Sequence, residues 1–199
     1  MSDPRIVAVV GVDGAGKTTQ ARLLAERLRA GGRRAVLTGG EQVKAVRAAL
    51  DAWAIAGGRP THEARLGAEG AYVAWAVARA AALRAGLDAA RDTGADLVCD
   101  RYAACLYATD ALHGAGHGEL LRRLLAFAPP PAVTIYLDLP AEEAAARTRA
   151  RGAEPETAET LAAYDRAYRA LPEFAGFTVV DARGSVDEVR ARVALAAGV

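Results

Sequence analysis

The chain has 199 residues, of which 52% are apolar and 25% are charged, and its net charge at pH 7 is +1. This length is sufficient for one domain with a sizeable core, and the balance of apolar and charged residues argues against disorder. Because the net charge is so small, no long-range field attracts nucleic acid or an acidic membrane, and a bound polyanion must be held by local positive charge.

Short apolar runs alternate with stretches of helical spacing along the chain. Strands are predicted at Ile6–Val10, Ala35–Thr38, Asp96–Asp100, Val133–Leu137 and Phe177–Val180. Helices are predicted at Thr18–Ala30, Glu41–Ile55, Glu63–Arg91, Ala103–Leu112, Glu119–Phe127, Ala141–Ala150, Ala158–Leu171 and Val186–Ala197. The long third helix is expected to bend near Gly86. Buried strands joined by helical crossovers predict an α/β domain over residues 1–199, with a five-stranded parallel sheet between two layers of helices.

The sequence also bears on cellular location. The first residues lack the layout of a signal peptide, and no apolar segment is long enough to span a bilayer. The two cysteines, Cys99 and Cys105, are expected to be reduced thiols because no secretion signal accompanies them. We therefore expect a cytoplasmic protein with neither a membrane nor a nucleic-acid partner.

The segment that follows the first strand has the pattern of a phosphate-binding turn. Residues 11–18 read GVDGAGKT and match G-x-x-x-x-G-K-[ST] between a buried strand and a helix. Glycines allow successive backbone N–H groups to point inward, and the helix that begins near Lys17 adds the positive end of its dipole. Lys17 is expected to reach the outer phosphates of a nucleotide, and the hydroxyl of Thr18 to bind Mg²⁺.

Further polar groups follow the third and fourth strands, at Asp100-Arg101 and Asp138. Ligands of a parallel sheet bind at the carboxyl ends of its strands, so these groups and the glycine turn should meet at one edge. Asp100 could hold Mg²⁺ directly or through water, and Arg101 could clamp a second phosphate. A surface ion pair explains the two residues equally well.

Two arginine patterns are open to both a functional and a structural interpretation. Trp75 and Arg79 share a helix face, where they could stack on a base and hydrogen-bond to its carbonyl group, or where the tryptophan could belong to the core. Arg147, Arg149 and Arg151 lead into a short lid near residues 148–157, where an arginine could neutralise phosphoryl charge. They could instead be a solvated helix end.

His113 and His117 flank a glycine-rich turn. A metal site is one interpretation, but no cysteine or carboxylate cluster is evident beside them, and the sequence favours a solvated loop. Tyr164 and Tyr168 share a helix face, which packing explains.

Taken together, these segments resemble the thymidylate kinases, enzymes with the P-loop NTPase fold. The segments that match the family are GVDGAGKTTQ with its Asp13, DRY at 100–102, Trp75 with Arg79, TIYLDLP at 134–140, RTRARG at 147–152, YDRAYRAL and VVDARGSVDEV. The resemblance implies transfer of the γ-phosphoryl group of MgATP to dTMP, and a homodimer.

The resemblance also implies a role for each matching residue. The ATP-binding set would be Gly11, Asp13, Gly14, Ala15, Gly16, Lys17, Thr18 and Thr19. The acceptor-binding set would be Asp13, Trp75, Arg79, Arg101 and Cys105. Thr18 and Asp100 would hold Mg²⁺, and the catalytic positive charges would be Lys17, Arg101, Arg149 and Arg151.

The departures from the family pattern lie on the acceptor side. LTGGEQ at 37–42 keeps only the glycines of an Arg-Glu-Pro-Gly-Gly stretch, and Cys105, Leu106 and Thr109 replace polar or aromatic residues. Three alternatives therefore remain open at this point. The first is the same chemistry on another nucleotide, for instance a modified pyrimidine, and the second is a regulatory NTPase that has no nucleotide acceptor. The third is a nucleotide-binding protein that has lost turnover, which the short lid would allow.

Overall fold

A computed structural model of the chain describes residues 4–114, 116–152 and 156–199, and at 41–42 the description covers the backbone. The strands are β1 (Ile6–Val10), β2 (Ala35–Thr38), β3 (Asp96–Asp100), β4 (Val133–Asp138) and β5 (Thr178–Asp181). The helices are α1 (Lys17–Ala30), α2 (Gly40–Ala56), α3 (His62–Thr93), α4 (Ala103–His113), α5 (Gly118–Leu124), α6 (Ala141–Ala150), α7 (Ala158–Arg169) and α8 (Val186–Ala196), with a 3₁₀ helix at Pro172–Gly176.

The strands form one parallel sheet in the order β2-β3-β1-β4-β5. The predicted five-stranded parallel α/β fold is therefore confirmed, with element ends that shift by at most a few residues. Strand β1 lies at the centre, where Val9 pairs with Asp100 of β3 and Val10 pairs with Tyr136 of β4. This register brings the carboxyl ends of β1, β3 and β4 to one edge of the sheet.

Both faces of β1 are buried, as its continuous apolar sequence predicts. Val7 and Val9 face a core that includes residues of α1, α6 and α8. Ile6, Ala8 and Val10 face a second core that includes residues of α3, α4 and α5. The alternation of side chains along one strand thus holds the two helix layers on opposite faces.

The bend predicted near Gly86 is wrong. The non-helical residue inside α3 is Gly67, with φ 73° and ψ 167°. Gly86 serves close packing instead, because a Cβ atom there would lie 2.7 Å from Cβ of Thr38 on β2. Gly67 permits the kink because it adopts a positive φ at low steric cost.

Candidate nucleotide site at the carboxyl edge of the sheet

The turn between β1 and α1 has the backbone shape of an anion nest. Gly11, Gly14 and Gly16 have φ values of 141°, 89° and 95°. A Cβ atom at Gly14 would lie 2.3 Å from the carbonyl oxygen of Ala144, so this glycine is also required by close packing against α6. At Gly16 an added Cβ atom would meet nothing within 4 Å, so the positive φ alone accounts for the glycine there.

Lys17 is the first residue of α1, and its side chain turns back into this nest. The residue is 5% exposed, and Nζ donates to the carbonyl oxygen of Val12 at 2.8 Å and to Oδ1 of Asp13 at 2.9 Å. Burial and the nearby Arg101 lower the pKa of Lys17, although Asp13 acts in the opposite direction. The ammonium group is thus held where a compact charge could meet a phosphate in the nest.

Asp13 joins the turn to the end of β3. The Oδ1 atom of Asp13 accepts hydrogen bonds from both Lys17 and the Nη2 group of Arg101. Burial raises the pKa of Asp13, but the two cations outweigh this effect and hold the pKa well below its usual range. Burial lowers the pKa of Arg101, whereas attraction to Asp13 raises it, and the net direction is upward. The site therefore contains an ionised carboxylate between two positive charges.

Arg101 has an unusual backbone conformation. In the ranges that the structure describes, it is the one non-glycine residue with a positive φ, at 81°. Its backbone N–H donates to the carbonyl oxygen of Val9 at 3.0 Å. A left-handed conformation costs an arginine free energy, and such strain is found preferentially at functional sites.

Thr18 and Asp100 meet beside the nest. The hydroxyl of Thr18 donates to Oδ2 of Asp100 at 2.7 Å. Asp100 is 5% exposed, and within the described part of the chain its Oδ1 atom is buried without a hydrogen-bond partner. A hydroxyl and a carboxylate with an unsatisfied oxygen are suitable donors for a hard cation, so these residues fit Mg²⁺.

A cavity of about 910 Å³ opens on the other side of Asp13. All of the predicted acceptor-binding residues line it, namely Asp13, Trp75, Arg79, Arg101 and Cys105. The guanidinium carbon of Arg79 lies 4.9 Å from the centre of the Trp75 ring. Burial and Arg101 lower the pKa of Arg79. The cavity therefore contains an aromatic plane and partly buried hydrogen-bond donors.

The sequence did not identify several residues that also line the cavity. These include Arg47, Glu63, Glu69, Tyr72, Asp110, His117, Glu156, Tyr164 and Tyr168. For the two tyrosines of α7 the signal was their shared helix face, which the sequence interpretation assigned to packing alone. Tyr168 is indeed buried, and burial and Cys105 raise its pKa. Burial and the Asp13 carboxylate raise the pKa of Glu156.

Of the two histidines expected in a solvated loop, His113 is exposed, but the expectation is wrong for His117. Only 12% of the His117 side chain is exposed, and its ring lies 5.3 Å from the ring of Tyr72. Nε2 is 3.2 Å from Oε1 of Glu69, and Nδ1 is 3.2 Å from Oδ1 of Asp110. Asp110 is seven positions from His117 in the sequence, whereas Glu69 comes from α3, 48 positions away, so the neighbouring sequence could not reveal the second carboxylate.

The arginines of the predicted lid lie apart from the cavity. Residues 153–155 of the predicted 148–157 segment lie outside the described residues. Arg149 and Arg151, which the structure does describe, are exposed and do not line the cavity. Arg147 donates to the carbonyl oxygen of Ala182 at 3.2 Å.

Asp138 and the cysteines complete the set of predicted residues. Asp138 ends β4 at the expected edge, but its carboxylate lies 2.7 Å from Nη2 of Arg169. Cys99 and Cys105 are both buried free thiols, as predicted. Across the described ranges, no helix is both long and apolar enough to cross a membrane.

Comparisons with known proteins agree with this geometry. The family model described as Thymidylate kinase matches residues 9–193. A probable thymidylate kinase of Pyrococcus abyssi is 34% identical over 196 residues, which cover 92% of this chain and 90% of that protein. A thymidylate kinase of Xanthomonas euvesicatoria is 35% identical over 187 residues, covering 92% of this chain and 79% of its own. A thymidylate kinase of Syntrophotalea carbinolica is 29% identical over 212 residues, which cover 94% of this chain and 92% of that protein.

Proposed function

The chain belongs to the thymidylate kinase family, and on that premise we propose that it transfers the γ-phosphoryl group of ATP to dTMP, giving dTDP and ADP. It is a phosphotransferase, a nucleoside monophosphate kinase. The observation that carries the proposal is the bridge at Asp13, which connects the phosphate nest to a cavity of about 910 Å³ with an aromatic plane. Two nucleotides could thus bind with their phosphates facing each other.

On the donor side, the turn from Gly11 to Thr19 would hold ATP. Asp13, Gly14, Ala15 and Gly16 would present the backbone of the nest, and Lys17 would exchange its contacts with Val12 and Asp13 for phosphate oxygens. Thr18 and Asp100 would hold Mg²⁺ directly or through water. When bound there, Mg²⁺ would neutralise part of the phosphate charge.

On the acceptor side, Trp75 would stack on the base and Arg79 would hydrogen-bond to one of its carbonyl groups. Arg101 would hold the phosphate of dTMP, and Asp13 would lie near its sugar. Cys105 would contact the acceptor from α4. Both guanidinium groups are partly buried, and charge-assisted hydrogen bonds from them to the acceptor would be stronger than neutral ones.

Catalysis in this account requires positive charge around the transferred group. Lys17 would lie on the donor side of the transferred group and Arg101 on its acceptor side, because both side chains donate to the same carboxylate, that of Asp13. We propose that a lid near 148–157 supplies a further arginine, Arg149 or Arg151, both of which are exposed at the end of α6 and start of the lid. The protein then contributes positioning and electrostatic stabilisation, with little covalent chemistry.

We further propose one domain over residues 1–199, a homodimer, and a cytoplasmic location. Half-exposed apolar side chains on α2 and α3, such as Trp53 and Val77, support a contact between copies of the chain. The two reduced thiols support a reducing compartment. The other functions that the sequence left open are not favoured, because the family match spans residues 9–193 and thus includes the acceptor side.

The test is to measure ADP formed from MgATP with and without dTMP. We expect turnover that requires dTMP, and its loss in Lys17→Ala. Arg22→Ala is a matched control, since Arg22 lies on the same helix and pairs with Glu26 on the surface. ADP formation that is equally fast without dTMP would contradict the proposal.

A further inference from the structure

A buried histidine connects α2 to α3 beside the acceptor cavity. His62 is 0% exposed, and its Nδ1 atom lies 2.6 Å from Oδ1 of Asp51, which also accepts the backbone N–H of His62 at 3.0 Å. On the other side of the ring, Nε2 lies 3.2 Å from Oε1 of Glu63. In the described part of the chain Nε2 has no well-aligned hydrogen-bond partner. The imidazole thus separates two carboxylates.

Asp51, His62 and Glu63 lie close enough to offer three ligands to a metal ion. Asp51 contacts Nδ1 of the imidazole and Glu63 contacts Nε2, so each carboxylate uses a different ring nitrogen as its partner. The cation beside them is Arg47. Its Nε atom lies 3.9 Å from Oδ2 of Asp51, and its Nη2 atom lies 3.9 Å from Oε1 of Glu63.

Arg47 extends from this network into the acceptor cavity. Its guanidinium carbon lies 5.8 Å from the centre of the Trp75 ring, and both Arg47 and Glu63 line the cavity. Arg79 lies 4.9 Å from the centre of the same ring. Two guanidinium groups therefore lie near the ring of Trp75, that of Arg47 from α2 and that of Arg79 from the same helix as the tryptophan.

We propose that Arg47 is a further acceptor-binding residue, whose guanidinium covers the pyrimidine base of the nucleoside monophosphate that stacks on Trp75. His62 is a positioning residue that acts through Asp51 and Glu63. This inference rests on the proposed function.

A planar guanidinium can stack on the base or donate to its carbonyl oxygens, which an ammonium group does less well. The exposed fraction of the Arg47 side chain is 53%, and both of its ion-pair distances are long. Such ion pairs add little to folding stability. Loss of the Arg47 side chain should therefore affect acceptor binding much more than stability.

The first test compares Arg47→Ala with the wild-type enzyme in dTMP binding by calorimetry and in turnover. We expect Kd and KM for dTMP to rise about tenfold, the size of a lost charge-assisted contact, with kcat and KM for ATP within about twofold. Arg47→Lys should recover only part of the affinity. Arg84→Ala is the matched control, because Arg84 also lies over an aromatic ring, that of Phe127, but outside the cavity. An unchanged dTMP Kd in Arg47→Ala would overturn the proposal.

The second test addresses the positioning role with Asp51→Asn and His62→Gln. Each is expected to raise the Kd for dTMP about threefold to tenfold in the wild-type background and to have no further effect in the Arg47→Ala background. Thermal melting identifies any variant that fails to fold, and Asp51→Asn keeps the buried histidine in place. Effects that add in full to that of Arg47→Ala would overturn the positioning role. If the wild-type protein bound dTMP but did not turn it over, the proposed function would be rejected. The comparison of Kd values would still test the binding role of Arg47.

Discussion

Thr18 and Asp100 are joined by a 2.7 Å hydrogen bond, although they are 82 positions apart in the sequence. The contact forms because β3 lies next to β1 in the sheet, so the end of β3 reaches the start of α1. The partnerless Oδ1 of buried Asp100 indicates that this pair is prepared for a further partner. In our account that partner is the Mg²⁺ of MgATP or one of its water ligands.

Removal of this carboxylate should therefore weaken the Mg²⁺ dependence of the reaction. In Asp100→Asn we expect the Mg²⁺ concentration for half-maximal ADP formation to rise at least tenfold, within the range seen when partners of metal ligands are lost. Asp138→Asn is the control, since Asp138 ends the neighbouring strand β4 but pairs with Arg169. Identical Mg²⁺ titrations for Asp100→Asn and the wild type would contradict the assignment.

Two substitutions of Arg101 should distinguish its role in acceptor binding from the cost of its backbone conformation. Arg101→Ala and Arg101→Gly both remove the cation from Asp13, so we expect KM for dTMP to rise at least tenfold in each. Only glycine relieves the positive φ of 81°, so Arg101→Gly should be more stable than Arg101→Ala by about 1 kcal/mol. Steady-state kinetics and denaturant unfolding measure the two effects. Unchanged KM for dTMP in either variant would refute the binding role.

His117 should titrate above the ordinary histidine range. The hydrogen bond to Glu69 is the largest cause that raises its pKa, ahead of the opposing effect of burial and the hydrogen bond to Asp110. Because the folded-state pKa is raised, the stabilisation is fully present below the unfolded value and is lost as the pH rises through the folded value. NMR titration should show a lower His117 pKa in Glu69→Gln than in the wild type. Superimposable titration curves would contradict this pairing.

Gly86 should resist substitution despite its position within a helix. Helix propensity alone predicts that Gly86→Ala stabilises the protein by about 1 kcal/mol. The new Cβ atom would lie 2.7 Å from Cβ of Thr38, so we expect a loss of about 1–3 kcal/mol instead. Gly70→Ala is the comparison on the same helix, because its Cβ atom would lie 3.1 Å from Cβ of Leu66, an exposed side chain that can shift, whereas Thr38 is buried. Equal unfolding free energies for the two variants would contradict the packing argument.

The sequence predicted most of the fold because its signals are local. The apolar run of β1, the glycine turn and the alternation of strands and helices each depend on neighbouring residues. The same holds for Trp75 and Arg79, which one helix turn brings together. The site motif is therefore the part that sequence patterns describe best.

Apart from the meeting of the glycine turn with Asp100 and Arg101 at one edge of the sheet, contacts between distant segments were not predicted. Arg47 reaches Trp75 only because α2 packs against α3, and His117 meets Glu69 only because the turn after α4 folds onto α3. The kink at Gly67 and the packing role of Gly86 also depend on neighbours that no spacing rule identifies. Side chains whose roles come from such packing require the three-dimensional structure.

The most direct measurement follows the γ-phosphoryl group itself. The protein is incubated with Mg²⁺ and ATP labelled at the γ-phosphate, in the presence of each nucleoside monophosphate in turn, and the labelled products are separated. We expect label in dTDP, with the highest kcat/KM for dTMP and none transferred by Lys17→Ala. Label that appears only as inorganic phosphate, or that is transferred faster to another nucleoside monophosphate, would contradict it.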